Sequence, residues 1–247
     1  QQKIAEILTT WDEAIRITQE SIVELKKRNK GLAWELLSGK KRLKGFSGIW
    51  ENVKLEDIAK RITRRNTELD DTVVTISAQR GFVLQEDFFK KRVASEILSN
   101  YYLIQKGEYA YNKSYSNGYP MGAFKRLESF EKAVVTTLYI CFCLKNNVDS
   151  NFMSYFFEAG LMIPGLMKIA QEGGRAHGLL NIGLNDFFSL KLKLPSKDEQ
   201  NAIASILESA NQELRLLEQK LESLQQQKKG LMQKLLTGEI RVKIEPK

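Results

Sequence analysis

Five short stretches of this sequence mix basic, amide and aromatic side chains: KRITRRN (60–66), SAQRG (77–81), YNKSYSNGYP (111–120), KR (125–126) and GGRAHG (173–178). These residue types carry donors that reach phosphate oxygens and base edges. Arg or Lys bridges O6 and N7 of guanine, and Gln or Asn pairs with adenine, so such a surface can read double-stranded DNA. The candidates are Arg64, Arg65, Gln79, Arg80, Lys113, Ser114, Lys125, Arg126, Arg175 and His177. Any one stretch alone reads as a solvated turn. Five within one region weigh against that reading for the set.

Reactive chemistry is poorly represented. The prolines are Pro120, Pro164, Pro195 and Pro246, so the Asn/Asp-Pro-Pro-aromatic motif used to methylate a base amine does not occur. No Gly-x-Gly cofactor loop follows an expected strand, and no phosphate-binding Gly-Lys-Ser/Thr loop is found. His177 is the one histidine, which leaves little basis for a Ser-His-Asp arrangement or a metal site. Cys141 and Cys143, two apart on an expected strand, point the same way and read as small buried hydrophobes in a reducing compartment. The expectation is a protein that is not an enzyme and needs neither cofactor nor metal.

The net charge of +8 suits a polyanionic partner. It divides as nine basic against six acidic residues in 1–43, twenty against sixteen in 44–195, and nine against eight in 196–247. The apolar stretch AVVTTLYICFCL is too short to span a bilayer and is β-rich. The N-terminus is polar and helical in pattern, unlike a secretion signal, so a cytoplasmic protein with no membrane partner is expected. The first residue is Gln1 rather than Met, which reads as a fragment or processed product.

What must hold the loops in place is written twice. NKGLAWELLSGKKRL near one end resembles KKGLMQKLLTGEIRV near the other, and a shift of 199 positions aligns residues 1–43 on 200–242 without a gap. Fourteen positions are then identical, among them Ile4, Leu8, Arg16, Leu25, Gly31, Leu32, Leu36, Gly39 and Arg42. Gapless matching over that length indicates internal duplication. In each copy apolar residues step by alternating fours and threes, the seam of a coiled coil. The first seam is Ile4, Leu8, Trp11, Ile15, Ile22, Leu25, Leu32 and Leu36; the second is Ile203, Leu207, Leu214, Leu217, Leu221, Leu224, Leu231 and Leu235. Asn29 and Lys228 are polar seam positions that can fix register. Gly39 and Gly238 are expected C-caps, and a close backbone approach would explain Gly31 and Gly230 inside the helices. Because the intervening segment joins the end of one helix to the start of the next, an antiparallel pair is the economical arrangement. An exchange of helices between two chains, giving a homodimer, is the competing one.

Between the helices the period changes to that of strands in DDTVVTISAQRG, EYAYNKSYSNGYP and KAVVTTLYICFCL. NFMSYFFEAGLMIPGLMKIAQEGG reads as helix interrupted before Pro164, and IGLNDFFSLKLKLP as a short helix and a last strand. The fold class is therefore α+β: one mixed α/β domain with a twisted sheet over 44–196, flanked by long helices at 1–43 and 197–247 that form an antiparallel coiled coil.

At the level of motifs the chain resembles the specificity subunit of type I restriction-modification systems. The resemblance rests on QQKIAEIL…WDEAI and EQNAIASIL opening the helices, KGLMQKLLTG closing one, GFSGIW entering the domain, and TISAQRG…YNKSYSNGYPMGAFKRL and GGRAHGLLNI within it. It implies the second half of such a subunit: central helix, one target-recognition domain, C-terminal helix. The implied function is non-catalytic reading of one half of a bipartite DNA site. The implied partners are a methyltransferase (modification) subunit and, through the complex, a restriction/translocase subunit. Trp34, Leu37 and Leu236 are candidates for the methyltransferase contact. Two other readings stay open: a coiled-coil scaffold with a protein-binding head, and a stand-alone methyltransferase with a disguised site.

Overall fold

The computed structural model describes residues 2–89, 98–170, 178 and 180–242. In chain order the elements are α1 (Gln2–Leu37), β1 (Glu51–Lys54), α2 (Leu55–Ile58), β2 (Ala59–Ile62), β3 (Val74–Ser77), β4 (Gly81–Leu84), α3 (Gln85–Phe89), β5 (Tyr102–Gln105), β6 (Tyr109–Asn112), β7 (Ala123–Arg126), β8 (Lys132–Val135), β9 (Ile140–Leu144), α4 (Ser150–Glu158), α5 (Ile163–Ile169), α6 (Leu184–Phe188), β10 (Lys191–Leu194) and α7 (Lys197–Leu236). The class is α+β, with a strand-rich region between two long helices in sequence. Two compact units form: residues 1–34 with 205–247, and residues 35–204.

The first unit is an antiparallel helix pair. Partner numbers fall along α7 as they rise along α1: Asp12 pairs with Lys228, Lys26 with Glu218 (2.7 Å) and Arg28 with Glu213 (2.6 Å). Asn29 Nδ2 donates to the Ala210 carbonyl at 2.8 Å. That bond is buried, and it ties a side chain of one helix to the backbone of the other at a single register. On α7 the buried and half-buried positions within this unit are Leu207, Ala210, Asn211, Leu214, Leu217, Leu221, Leu224, Lys228, Leu231 and Leu235. On α1 they include Ile4, Leu8, Trp11, Ile15, Thr18, Ile22, Leu25, Asn29 and Leu32. Leu36 and Ile203, also buried, belong to the second unit.

The duplicated helices end alike. After α1 the Lys41 amide donates to Glu35 O (3.1 Å), and after α7 the Ile240 amide donates to Lys234 O (3.1 Å), 199 positions on. Gly39 (φ +72°) and Gly238 (φ +77°) occupy the left-handed position that this reversal requires. Gly31 and Gly230 depart from expectation: a Cβ at either would meet nothing within 4 Å, so no element of the described chain approaches them.

The second unit is built on an antiparallel sheet of order β2-β9-β6-β7, accompanied by the pairs β1-β10, β3-β4 and β5-β8. The β-rich run around Cys141 is thus two strands in different sheets, β8 and β9, separated at a turn where Tyr139 N donates to Thr136 O (3.2 Å). Strand alternation sorts the core by size. Tyr109, Tyr111, Phe124 and Phe142 stack on one face, with Phe157 of α4 at 4.6 Å and Phe187 of α6 at 5.9 Å from Phe124. Ala110, Ala123 and Cys141 lie on the other face, in a cluster with Ile76, Phe82, Ile104 and Val135 from the flanking ribbons. Small residues there let those ribbons approach. Cys143 packs against the same cluster, both thiols are free, and burial pushes the Cys141 thiol up to about 12. α4 is capped by Asp149, whose carboxylate accepts from Phe152 N, and Pro164 sits in the first turn of α5.

The same unit contains a partly buried ion pair. Arg42 donates from Nε and Nη2 to both oxygens of Glu199 (2.7 Å each), and Glu199 is 2% exposed. Its neighbour Gln200 accepts from Asp149 N and donates to Pro195 O (2.9 Å each). Among the described residues no helix is long and apolar enough to cross a membrane.

Candidate nucleic-acid interface

β3 and β4 are joined by three residues, Ala78, Gln79 and Arg80, with Gly81 at φ +79° where the chain re-enters β4. A three-residue hairpin needs a left-handed residue at that place. Arg80 N donates to Ser77 Oγ (3.2 Å), and Gln79 and Arg80 stand exposed at the tip.

The longer loop between β6 and β7 is pinned along its length. Asn112 Oδ1 accepts from Ser114 N at 3.0 Å, an Asx turn. Ser116 and Tyr119 exchange backbone bonds of 3.2 and 2.8 Å around Asn117-Gly118, a two-residue hairpin turn with Gly118 at φ +81°. Tyr111 donates its hydroxyl to Met121 O at 2.6 Å. Gly122 has φ +76°, and a Cβ there would lie 2.2 Å from Asn112 O. Turn chemistry thus holds YNKSYSNGYPMG in one loop shape at nearly every step.

Two of the five stretches meet here, with Gly178 at the end of a third beside them. Gln79 Nε2 donates to Asn117 O (3.2 Å), joining the two loop tips. Tyr115 N donates to Gly178 O and Leu180 N to Lys113 O, both at 3.0 Å, which lays Gly178 and Leu180 alongside the loop. Lys113 and Ser114 are half-buried within it. Arg175 and His177 lie outside the described residues.

The remaining candidates are engaged elsewhere in the fold. Lys125 sits 2.5 Å from Glu158 and 5.1 Å from the Tyr119 ring centre, with 14% of its side chain exposed. Tyr119 donates its hydroxyl to the same carboxylate; burial, with Glu158 beside it, pushes that phenol's pKa up and keeps its proton on. Glu158 at the end of α4 thus braces the foot of the loop. Arg126 points to the opposite face of β7, bonded to Glu128 and to Ser150 Oγ (2.8 Å). Arg64 pairs with Glu108 (2.7 Å), and Arg65 donates to Asn100 O while lying 5.2 Å from the Tyr102 ring centre. These four basic residues are paired where the sequence suggests open cations. Spacing along a strand does not reveal which carboxylate a tertiary fold will bring opposite.

Three kinds of residue escape the sequence reading. Asn117 and exposed Tyr115 fall inside YNKSYSNGYP without standing out from it, and Glu158 lies on a helix with no local signal of its role. Phe88 and Phe89 have the apolar character of core residues, yet each is about 40% exposed. Among the described residues no group of three metal-ligating side chains forms.

The family model for the type I restriction modification DNA specificity domain matches residues 48–226. The chain belongs to that family. A specificity subunit of type I restriction enzyme MjaX from Methanocaldococcus jannaschii is 35% identical over 99 residues, covering 40% of this chain and 22% of that protein. The HsdS subunit from Thermoanaerobacter tengcongensis superposes with a TM-score of 0.57 at 13% identity, over 94% of this chain and 56% of that one. The S subunit of a type I restriction-modification system from M. genitalium does so with a TM-score of 0.53 at 16% identity, over 94% and 59%. The solved structures share the fold, and this chain spans little more than half their length.

Proposed function

We propose that this chain is a non-catalytic specificity subunit of a type I restriction-modification complex, its second unit reading one half of a bipartite DNA target. The observation that carries the proposal is the convergence of the Gln79–Arg80 tip and the Lys113–Asn117 loop, with Gly178 and Leu180 beside it, in a chain of this family. Amide, hydroxyl and guanidinium donors are presented on turns whose backbones are closed by their own hydrogen bonds, which favours geometric selection of base edges. Arg80 and Lys113 supply charge for phosphates or guanine.

The helix pair is proposed to dock methyltransferase subunits, and through them a restriction/translocase subunit. Trp34 is 44% and Leu236 69% exposed, and Ile17 and Leu216, which occupy equivalent places in the two copies, are 50% and 59% exposed. Leu37 is completely buried and leaves this candidate set. Residues 44–196 are proposed as the transferable reading domain, working in the cytoplasm without a cofactor of its own.

The test is to map methylated positions in DNA exposed to this chain and its methyltransferase subunit, then to repeat the mapping with Arg80→Ala and Lys113→Ala. A defined bipartite motif should appear, with one half degraded by the variants. Methylation indifferent to both variants, or a complex that forms without touching DNA, would favour the scaffold reading instead.

A further inference from the structure

α3 buries none of its residues, although two of its five are phenylalanine. Phe88 and Phe89 stand edge to face with ring centres 4.9 Å apart, and they are 40% and 43% exposed. Leaving two large rings in water is unfavourable by roughly 25 cal/mol for each Å² of apolar surface left uncovered. The pair is continuous with the loop cluster. Arg80 holds its guanidinium 5.9 Å from the centre of the Phe88 ring, and its neighbour Gln79 bonds to the tip of the 113–119 loop.

The described charges around the rings are of both signs. Glu86 and Asp87 occupy the first turn of α3, at its N-terminal end, whereas Arg80 lies against Phe88. Arg80 sets a cation beside the rings, as a surface that presses aromatic side chains against bases requires, because phosphates line both edges of the groove it must enter.

We propose that Phe88 and Phe89 form an aromatic wedge that enters a DNA groove and partly unstacks a base step beside the read bases, while Arg80 holds the adjoining backbone. This deepens the DNA-reading proposal and rests on it. Apolar side chains inserted between base pairs open the step and bend the duplex, and flexible pyrimidine–purine steps resist least. The target should therefore carry such a step at a fixed distance from the bases read by the loop, at a position no polar side chain touches.

The experiment compares wild type, Phe88→Ala/Phe89→Ala, Phe88→Leu/Phe89→Leu and Arg80→Ala/Lys113→Ala. Each is taken as the full chain with its methyltransferase subunit on the mapped target duplex. Affinity is measured as a function of salt, and bending by gel mobility of duplexes with the site at different positions. The alanine wedge variant should bind the target roughly tenfold or more weakly and bend it less, with the salt slope unchanged because no phosphate loses its cation. The leucine variant should recover part of both. Arg80→Ala/Lys113→Ala should instead lower the salt slope by about one unit for each phosphate that these side chains neutralise.

A wedge variant that binds and bends like wild type, beside a weakened Arg80→Ala/Lys113→Ala variant, overturns the wedge and leaves the reading of DNA intact. No target binding by wild type, with all variants alike, overturns both. A wedge variant that loses the methyltransferase subunit rather than DNA makes the patch a protein-docking surface and also overturns the wedge. Because α3 buries nothing, the melting temperature should be unchanged. A fall in it shared by the leucine variant would mark the rings as structural and count against the proposal.

Discussion

The helix pair and the sheet unit hold together by different means. Along the pair, leucines repeat at seam spacing, most are only half-buried, and the ion pairs between helices are exposed on at least one side. In the sheet unit a few aromatic side chains are sealed completely, and the polar groups around them are closed by specific bonds, such as Tyr111 to Met121 O. Stability spread thinly along a seam tolerates change at any one place. Stability gathered in one aromatic stack does not, and that stack includes Tyr111 and Phe124, from the strands that carry the 113–119 loop.

The sharpest way to break this contrast is to empty the same kind of volume in each unit. Phe142→Ala should cost the sheet unit about 3–5 kcal/mol, whereas Leu221→Ala should cost the helix pair about 1–2 kcal/mol. Denaturant titration followed separately by helical and aromatic signals would check this. Equal losses would mean that the contrast is false.

Alkaline pH should act on one unit first. Burial raises the pKa of Tyr109, Tyr111, Tyr119 and Cys141, all in the sheet unit, whereas residues 2–34 and 205–242 contain neither Tyr nor Cys. A raised pKa favours the protonated folded form. Stability is thus intact below the unfolded values, about 8.5 for Cys and 10 for Tyr, and is lost as pH climbs toward the folded ones. Near-UV circular dichroism should decay from about pH 9 upward, ahead of the helical far-UV signal.

Gly122→Ala forces a side chain into a left-handed backbone against Asn112 O. It should cost about 1–3 kcal/mol and loosen the 113–119 loop, seen as faster amide exchange there. In the helix pair, Asn29→Leu should raise the melting temperature slightly while relaxing register. Paired cysteines one heptad out of register would then cross-link in the variant but not in wild type. The smallest effect belongs to Arg28 and Glu213: a double-mutant cycle should give under about 1 kcal/mol, vanishing in molar salt.

The helices are legible in the sequence because their determinant is periodic and local. Leucine spacing defines a face, glycine marks an end, and duplication repeats both. The strands at Val74–Ser77, Tyr109–Asn112 and Lys191–Leu194 are legible from branched and aromatic content between turn signals. The candidate site is legible only as loops. Turn chemistry in YNKSYSNGYP announces a fixed loop, but whether Lys125 faces solvent or Glu158 depends on a helix 33 residues away in sequence. Side-chain partners across a tertiary fold leave no local trace, and neither does the exposure of Phe88 and Phe89, whose apolar character alone suggests core.

Gly31 and Gly230 bring a mechanical consequence. Each lies within an unbroken helix, eight residues before its closing glycine, in open space, where alanine would be more favourable by about 1 kcal/mol. Because the helices run antiparallel, the two soft points fall toward opposite ends of the pair, and the leucine-rich stretch between them is left uninterrupted. Within the pair, resistance to bending is therefore expected to be least at these two glycines and greatest over the leucine-rich stretch between them.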